Sequence, residues 1–188
     1  MKWNKQFIYP KTVRSSINGV RKYSINDEKL PSVTTILSST QDASKTESLN
    51  KWKARVGEVE AERIKNTAAT RGTAMHTYLE HYIKGGKVLD LTDVGRQTDL
   101  CGIYQGRESI VDFKQSNKPK RAEWIEDYKL QLVAYATAHD CIFGTNIEQG
   151  VILMCTPDNF FQRFLVNGSE FREYKWKWLR KISDYYRS

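Results

Sequence analysis

Apolar and polar positions change period several times along the chain, and each change predicts an element. Residues 7–25 alternate in short runs on either side of Asn18-Gly19, the signal of a two-residue hairpin. Pro31 precedes Ser32-Val33-Thr34-Thr35-Ile36-Leu37, a short helix that Ser32 is placed to cap. From Glu47 the period turns helical: Leu49, Trp52, Val56 and Val59 recur three or four apart, and Lys51, Lys53, Arg55 and Glu58 fill the other face. Gly72 is expected to part this helix from a second over 73–84, which stops at Gly85-Gly86 and carries the stripe Met75, Tyr78, Leu79 and Tyr82. Strand-like runs at 98–104 and 107–114 flank Gln105-Gly106. A helix over about 122–139 follows, then a strand pair at 147–155 and 160–166 around Pro157-Asp158-Asn159. A last helix from Ser169 repeats Phe171, Tyr174, Trp178, Ile182 and Tyr185 on one face. Helices mixed with hairpins predict an α/β or α+β fold with a mixed sheet.

At 188 residues the chain is expected to form one domain. Its parts would be an N-terminal hairpin with helices (1–86), a core (87–166) and a closing helix (169–188). Hydrophobic content of 39% against 28% charged residues argues against a disordered chain. No apolar run approaches the roughly 18 residues needed to span a bilayer. Met1 to Phe7 lacks the apolar core of a signal peptide, so a cytoplasmic protein is expected, with no membrane partner. Cys101, Cys141 and Cys155 are odd in number and far apart. That excludes a four-cysteine zinc or iron–sulfur site within one chain and makes a disulfide framework improbable. His76, His81 and His139 form no H-E-x-x-H. With 30 Lys+Arg against 22 Asp+Glu the net charge is +8, and 12% of residues are aromatic, which favours an anionic partner, nucleic acid first.

The chemistry concentrates at Asp99, Asp112 and Lys114. Residues two apart on a strand share a face, so Asp112 and Lys114 point the same way. A two-residue turn at Gln105-Gly106 pairs Tyr104 with Arg107 and sets Asp99 across from Asp112. A three-residue turn would send Asp99 to the opposite face, because a one-residue slip inverts every side chain. Two neighbouring carboxylates repel unless a cation lies between them. Hard oxygen ligands with open positions suit Mg²⁺ or Mn²⁺, which accept phosphate oxygens and activate water. Lys114 is placed to position or deprotonate that water, or to offset charge on the phosphorane. The plainer reading makes Asp112 and Lys114 a surface ion pair. Against it, Ile110, Val111 and Phe113 make the strand apolar on both sides of Asp112, as in a buried strand. Gln131 and Tyr135 stand four apart on the following helix, and so do His76 and Glu80 on an earlier one.

In order, Arg71-Gly72-Thr73-Ala74-Met75-His76 with Glu80, Thr98-Asp99, Ile110-Val111-Asp112-Phe113-Lys114 and Gln131-Leu132-Val133-Ala134-Tyr135 resemble the motifs of the PD-(D/E)XK nuclease superfamily. The match is nearest to its RecB-like exonuclease branch, which includes phage exonucleases and the mitochondrial genome maintenance exonuclease. Pro31-Ser32-Val33-Thr34 and Trp52 with Val56-Gly57-Glu58 are similar to that branch's N-terminal helices. The resemblance spans roughly residues 30 to 155. It implies a restriction-endonuclease-like core and one or two Mg²⁺ or Mn²⁺ ions. Asp99, Asp112 and the carbonyl of Phe113 would ligate metal. His76 would be an added histidine ligand, and Glu80 a helical acid that binds a metal-bound water or a second ion. Lys114 would be the catalytic lysine, supported with the scissile phosphate by Gln131 and Tyr135.

Relatives of that branch carry several tens of residues between the histidine helix and the first catalytic aspartate, including part of an arch over the DNA. Here 85–97 leaves thirteen, of which 87–91 are expected as a strand. Arg71, Lys118, Lys120 and Arg121 are candidates for a phosphate path, and Trp124 or Tyr128 for stacking on bases. Arg172, Lys175, Lys177, Arg180 and Lys181 on the last helix are further cations, expected mostly to solvate its outer face. The resulting expectation is a Mg²⁺-dependent deoxyribonuclease that removes nucleotides from single strands or DNA ends, as in phage recombination or genome processing. In that case its compartment would be the host cytoplasm. The alternatives are a structure-specific endonuclease on the same scaffold and a nucleic-acid-binding protein without catalysis.

Overall fold

The computed structural model describes residues 7–9, 12–17, 20–25, 28–83 and 100–187. The first hairpin is present as β1 (Val13–Ile17) and β2 (Val20–Ile25), with Ile17 opposite Val20. A third antiparallel strand, β3 (Glu28–Pro31), extends it on the far side of β2. Pattern reading misses β3 because three of its four residues are exposed and show no alternation. Pro31 is tolerated there because β3 is an edge strand.

Ser32 caps α1 (Val33–Ser39) as expected: its Oγ accepts from the Thr35 N–H at 3.0 Å. The boundary between the next helices lies elsewhere than the expected Gly72. α2 (Ala43–Val56) ends at Gly57, whose φ of +84° is the left-handed region that favours glycine, and α3 (Glu58–Ile83) runs straight through Gly72. A glycine inside a helix costs about 1 kcal/mol relative to alanine, less than the hydrogen bonds a break would forfeit. Val59 therefore starts a new helix, 88% exposed, instead of completing the α2 stripe, and α2 buries no residue fully. On α3, Met75 and Leu79 are half-buried while Tyr78 and Tyr82 lie at the surface.

The main sheet has the order β4 (Leu100–Tyr104), β5 (Arg107–Gln115), β6 (Gln149–Cys155), β7 (Phe161–Asn167). β5 and β6 run parallel; the outer pairs are antiparallel. Joining two parallel strands needs a crossover, and α4 (Glu126–Phe143) supplies it. The expected start of that helix at 122 is a separate 3-10 turn, Ala122–Trp124, set off by Ile125 at φ −113°. α5 (Gly168–Arg187) packs beside α4, burying Phe171 and Trp178 and resting Tyr174, Ile182 and Tyr185 on the core, the face its spacing predicts.

One face of the sheet presents Ile110, Ile152, Met154 and Val166 to Leu130, Leu132, Val133 and Ala136 of α4. Fully buried aliphatic side chains contribute about 1.5–3 kcal/mol each, against about 0–1 for an exposed ion pair, so apolar packing holds α4 in place. Gly150 of β6 sets how closely it sits. A Cβ there would lie 2.7 Å from Leu132 Cδ1 and 3.0 Å from Leu132 Cβ. This mixed four-stranded sheet flanked by helices fits the restriction-endonuclease-like core. Among the described residues no helix is long and apolar enough to cross a membrane.

Candidate active site

The β4–β5 register follows the two-residue turn: Tyr104 pairs with Arg107, Ile103 with Glu108, and so on to Leu100 with Val111. Gln105 and Gly106 both adopt positive φ, 50° and 78°, as such a turn requires. Asp99 lies outside the described residues, as does the whole of 85–97 with its expected strand. On β5, Ile110, Asp112 and Lys114 alternate onto the face that meets α4, opposite Gly150, Ile152 and Met154.

Asp112 is fully buried. An ionised carboxylate at that depth costs several kcal/mol unless it is paired. Lys114 supplies the charge, with Nζ 2.7 Å from Asp112 Oδ2. Lys114 Nζ also donates to Gln131 Oε1 at 2.8 Å, and Gln131 Nε2 donates to Tyr135 Oη at 2.7 Å. The row Asp112–Lys114–Gln131–Tyr135 thus runs from strand to helix. Its helical half sits at i and i+4 on α4, one turn apart. The Lys114 ammonium also stands 5.1 Å from the Tyr128 ring centroid. Burial raises the Tyr128 phenol above its ordinary pKa; Lys114 pulls it back, and Asp112 and Asp127 push it up. The phenol stays neutral at physiological pH, a polarisable wall against the amine.

Beyond Lys114 the chain leaves the sheet through an ordered loop. Ser116 N–H donates to the Cys155 carbonyl at 3.0 Å, and Ser116 Oγ to the Lys118 carbonyl at 2.7 Å. Gln162 on β7 then clamps Lys120 from both sides, accepting from its N–H at 2.7 Å and donating to its carbonyl at 2.9 Å. Arg71 of α3 reaches the same loop, donating to Asn117 Oδ1 at 2.7 Å. Between them opens a cleft of about 360 Å³ lined by Ala68, Asn117, Lys118, Lys120 and Tyr128, among others. Arg121 stacks 5.2 Å from the ring of Trp124, which is 60% exposed on the 3-10 turn.

The structure therefore brings Asp112, Lys114, Gln131 and Tyr135 into direct contact and sets Lys118 and Lys120 in one cleft, with Arg71 bonded to Asn117 of its wall. His76 and Glu80 are half-buried toward the end of α3. Among the described residues no three His, Cys, Asp or Glu side chains converge as a metal cage. Phe113 pairs with Leu153 in the parallel ladder. Three of the six cations on α5 are engaged: Lys175 with Asp140 (3.3 Å), Lys177 with Glu173 (2.9 Å) and Lys181 with the Thr40 carbonyl (2.7 Å).

Gln162, Asn117 and Gly150 escaped sequence reading. Each acts on a partner remote in sequence, and only the apolar run Val151 to Met154 after Gly150 marks that strand as one to be covered.

In fold, a mixed sheet of this order flanked by helices fits a restriction-endonuclease-like protein, and it carries the buried aspartate and the lysine that bonds across to a helical glutamine. The chain is 24% identical over 199 residues to the human mitochondrial genome maintenance exonuclease 1, an alignment covering 83% of this chain and 58% of that protein. It thus spans well under two thirds of that relative's length. No protein-family model matches. The crystal structure of SSO0001 superposes with a TM-score of 0.39 at 16% identity, over 71% of this chain and 68% of that one.

Proposed function

We propose that the chain is a metal-dependent DNA exonuclease of the PD-(D/E)XK superfamily, in its RecB-like branch, acting on single strands or ends. The observation that carries this reading is the row in which Lys114 is ion-paired with the buried Asp112 and donates to Gln131, which in turn donates to Tyr135. The remote likeness to a human exonuclease supports it. The chemistry of the donors fits a hard divalent ion: Asp112 offers carboxylate oxygens from a fully buried position. In this reading Asp99 and the Phe113 carbonyl complete the set, with His76 and Glu80 approaching from α3. Bound Mg²⁺ or Mn²⁺ would polarise the phosphoryl group and lower the pKa of a water.

The chain's own residues do the rest. Lys114, held by Asp112 and Gln131, keeps a positive charge where the phosphorane gains negative charge, and it needs no reorganisation to do so. Gln131 fixes the direction of that amine, and Tyr135 fixes Gln131. Lys118, Lys120 and Arg71 hold flanking phosphates in the cleft.

A digestion series tests the proposal with single strands labelled at the 5′ or 3′ end, circular single-stranded DNA, and Mg²⁺, Mn²⁺ or chelator. Stepwise release of nucleotides from linear strands, abolished by chelator, with circles left intact, is the expected result. Cutting of circles would make the protein an endonuclease. DNA binding without turnover in either metal would leave it a binding protein.

A further inference from the structure

Away from Lys114, a second cavity of about 580 Å³ opens where the three-stranded sheet meets α1 and α3. Its walls carry Arg14 of β1, Arg21 of β2 and Lys65 of α3, with the hydroxyls of Thr34, Ser38 and Ser39 from α1, and no carboxylate. Arg14 and Arg21 make no ion pair among the described residues. Lys65 pairs with Glu62, one turn away and exposed, at 3.3 Å. Such a pair contributes little and is readily exchanged for a phosphate. The walls are set in advance, because the Arg21 carbonyl accepts from Thr35 Oγ1 at 2.9 Å and from Ser32 N–H at 3.3 Å, stapling β2 to α1.

We infer that Arg14, Arg21 and Lys65 form a second phosphate-binding site that grips the sugar–phosphate backbone of a nucleic-acid strand at a distance from its cleaved bond. Two guanidinium forks and an ammonium among hydroxyl donors match phosphodiester oxygens in charge and hydrogen bonding. No aromatic ring or side-chain amide lines the cavity to read a base, so it recognises backbone alone. Continuity with the catalytic cleft follows from α3. Lys65 lines this cavity and Ala68 lines the other, three residues on, or about 4.5 Å along the helix axis. A strand running between Lys118 and Lys120 and the Arg14–Arg21 pair would pass over this part of α3. The assignment of the strand rests on the proposed nuclease function; the phosphate chemistry of the cavity does not.

Binding is measured on the full chain without metal, by fluorescence anisotropy of labelled single strands of increasing length. Arg14→Ala combined with Arg21→Ala should weaken the long strands about tenfold or more at low salt and leave the shortest bound strands unchanged. The salt slope for long strands should fall by about 0.7 per cation removed. Lys65→Ala, on an exposed helix face, should act in the same direction and guards against a folding defect in the double variant. In Mg²⁺ the double variant should hydrolyse short strands at the parental kcat. Equal losses for short and long strands, or no loss, would overturn the inference. So would displacement of the long strand by inorganic phosphate or a mononucleotide at matching concentration, which would assign the cavity to a free phosphate ligand. If the parent protein hydrolyses nothing, the nuclease reading fails, and the anisotropy series still decides the cavity.

Discussion

Lys114 carries two loads that substitution can separate. It is an ion-pair partner of the fully buried Asp112, and it is the amine aimed by Gln131. Lys114→Met should therefore lower kcat by about 10²–10⁴, as loss of a positioned proton-transfer or charge-stabilising group does. In chelator it should also destabilise the fold by about 3–5 kcal/mol, the usual consequence of removing one member of a buried ion pair. Adding Asp112→Asn to it should restore much of that stability and none of the activity. Urea unfolding alongside a turnover assay checks both; a fully stable, fully active Lys114→Met variant would refute the site. His139 offers a second test at this scale. Its ring is buried, contacts the Tyr9 hydroxyl at 3.2 Å and Thr145 Oγ1 at 2.8 Å, and lies edge-on to Phe7. Burial lowers its pKa, with Asp140 and Glu108 opposing. The unfolded chain then binds the proton more readily, so this contribution to stability is complete above about pH 6.5 and is lost as pH falls from there towards the lower folded value. The melting temperature should drop over that window, and His139→Gln should flatten the drop.

At the scale of elements, the site depends on how closely α4 lies against β6, and Gly150 controls that spacing. A methyl at Gly150 would meet Leu132 at less than van der Waals distance. Leu132 is adjacent to Gln131, so moving it displaces the amide that holds Lys114. Gly150→Ala should cost about 1–3 kcal/mol of stability, the range for overpacking a dense core. It should also cut kcat more than KM, which paired thermal melts and initial rates would show. The same elements explain what is legible in the sequence. Asp112, Lys114, Gln131 and Tyr135 can be picked out because strand and helix periods are local, whereas the Gln105-Gly106 turn allows two β4–β5 registers, of which the backbone takes the two-residue one. The break between α2 and α3 falls elsewhere than expected because two glycines compete for it. Only backbone conformation decides between them: Gly57 takes φ +84°, whereas Gly72 stays helical. The edge strand β3 and the Gln162 clamp on Lys120 leave no period to read, since each is defined by a partner remote in sequence or by pairing alone.

For the molecule as a whole, the net charge of +8 matters less than where unengaged cations lie. α5 is rich in Lys and Arg, yet Lys175, Lys177 and Lys181 are occupied by Asp140, Glu173 and the Thr40 carbonyl. Lys129, nearly buried, is tied to Glu170 at 2.7 Å. The loop after β5 differs: Lys118 and Lys120 line an open cleft, and their backbone is held by Ser116 and Gln162 so that both residues border a fixed wall. Long-range attraction would draw any polyanion to either surface, but under the proposed function only the cleft beside Lys114 would place a phosphate for attack. Charge reversal distinguishes the two. Lys118→Glu with Lys120→Glu should raise KM for a single-stranded substrate by about tenfold or more at low salt. The salt dependence should become shallower by about 0.7 for each phosphate no longer neutralised. Arg172→Glu with Arg180→Glu on the exposed face of α5 changes net charge equally and should shift KM only slightly, an effect that moderate salt erases. Equal effects from both pairs would mean that overall charge, and not the cleft, governs binding.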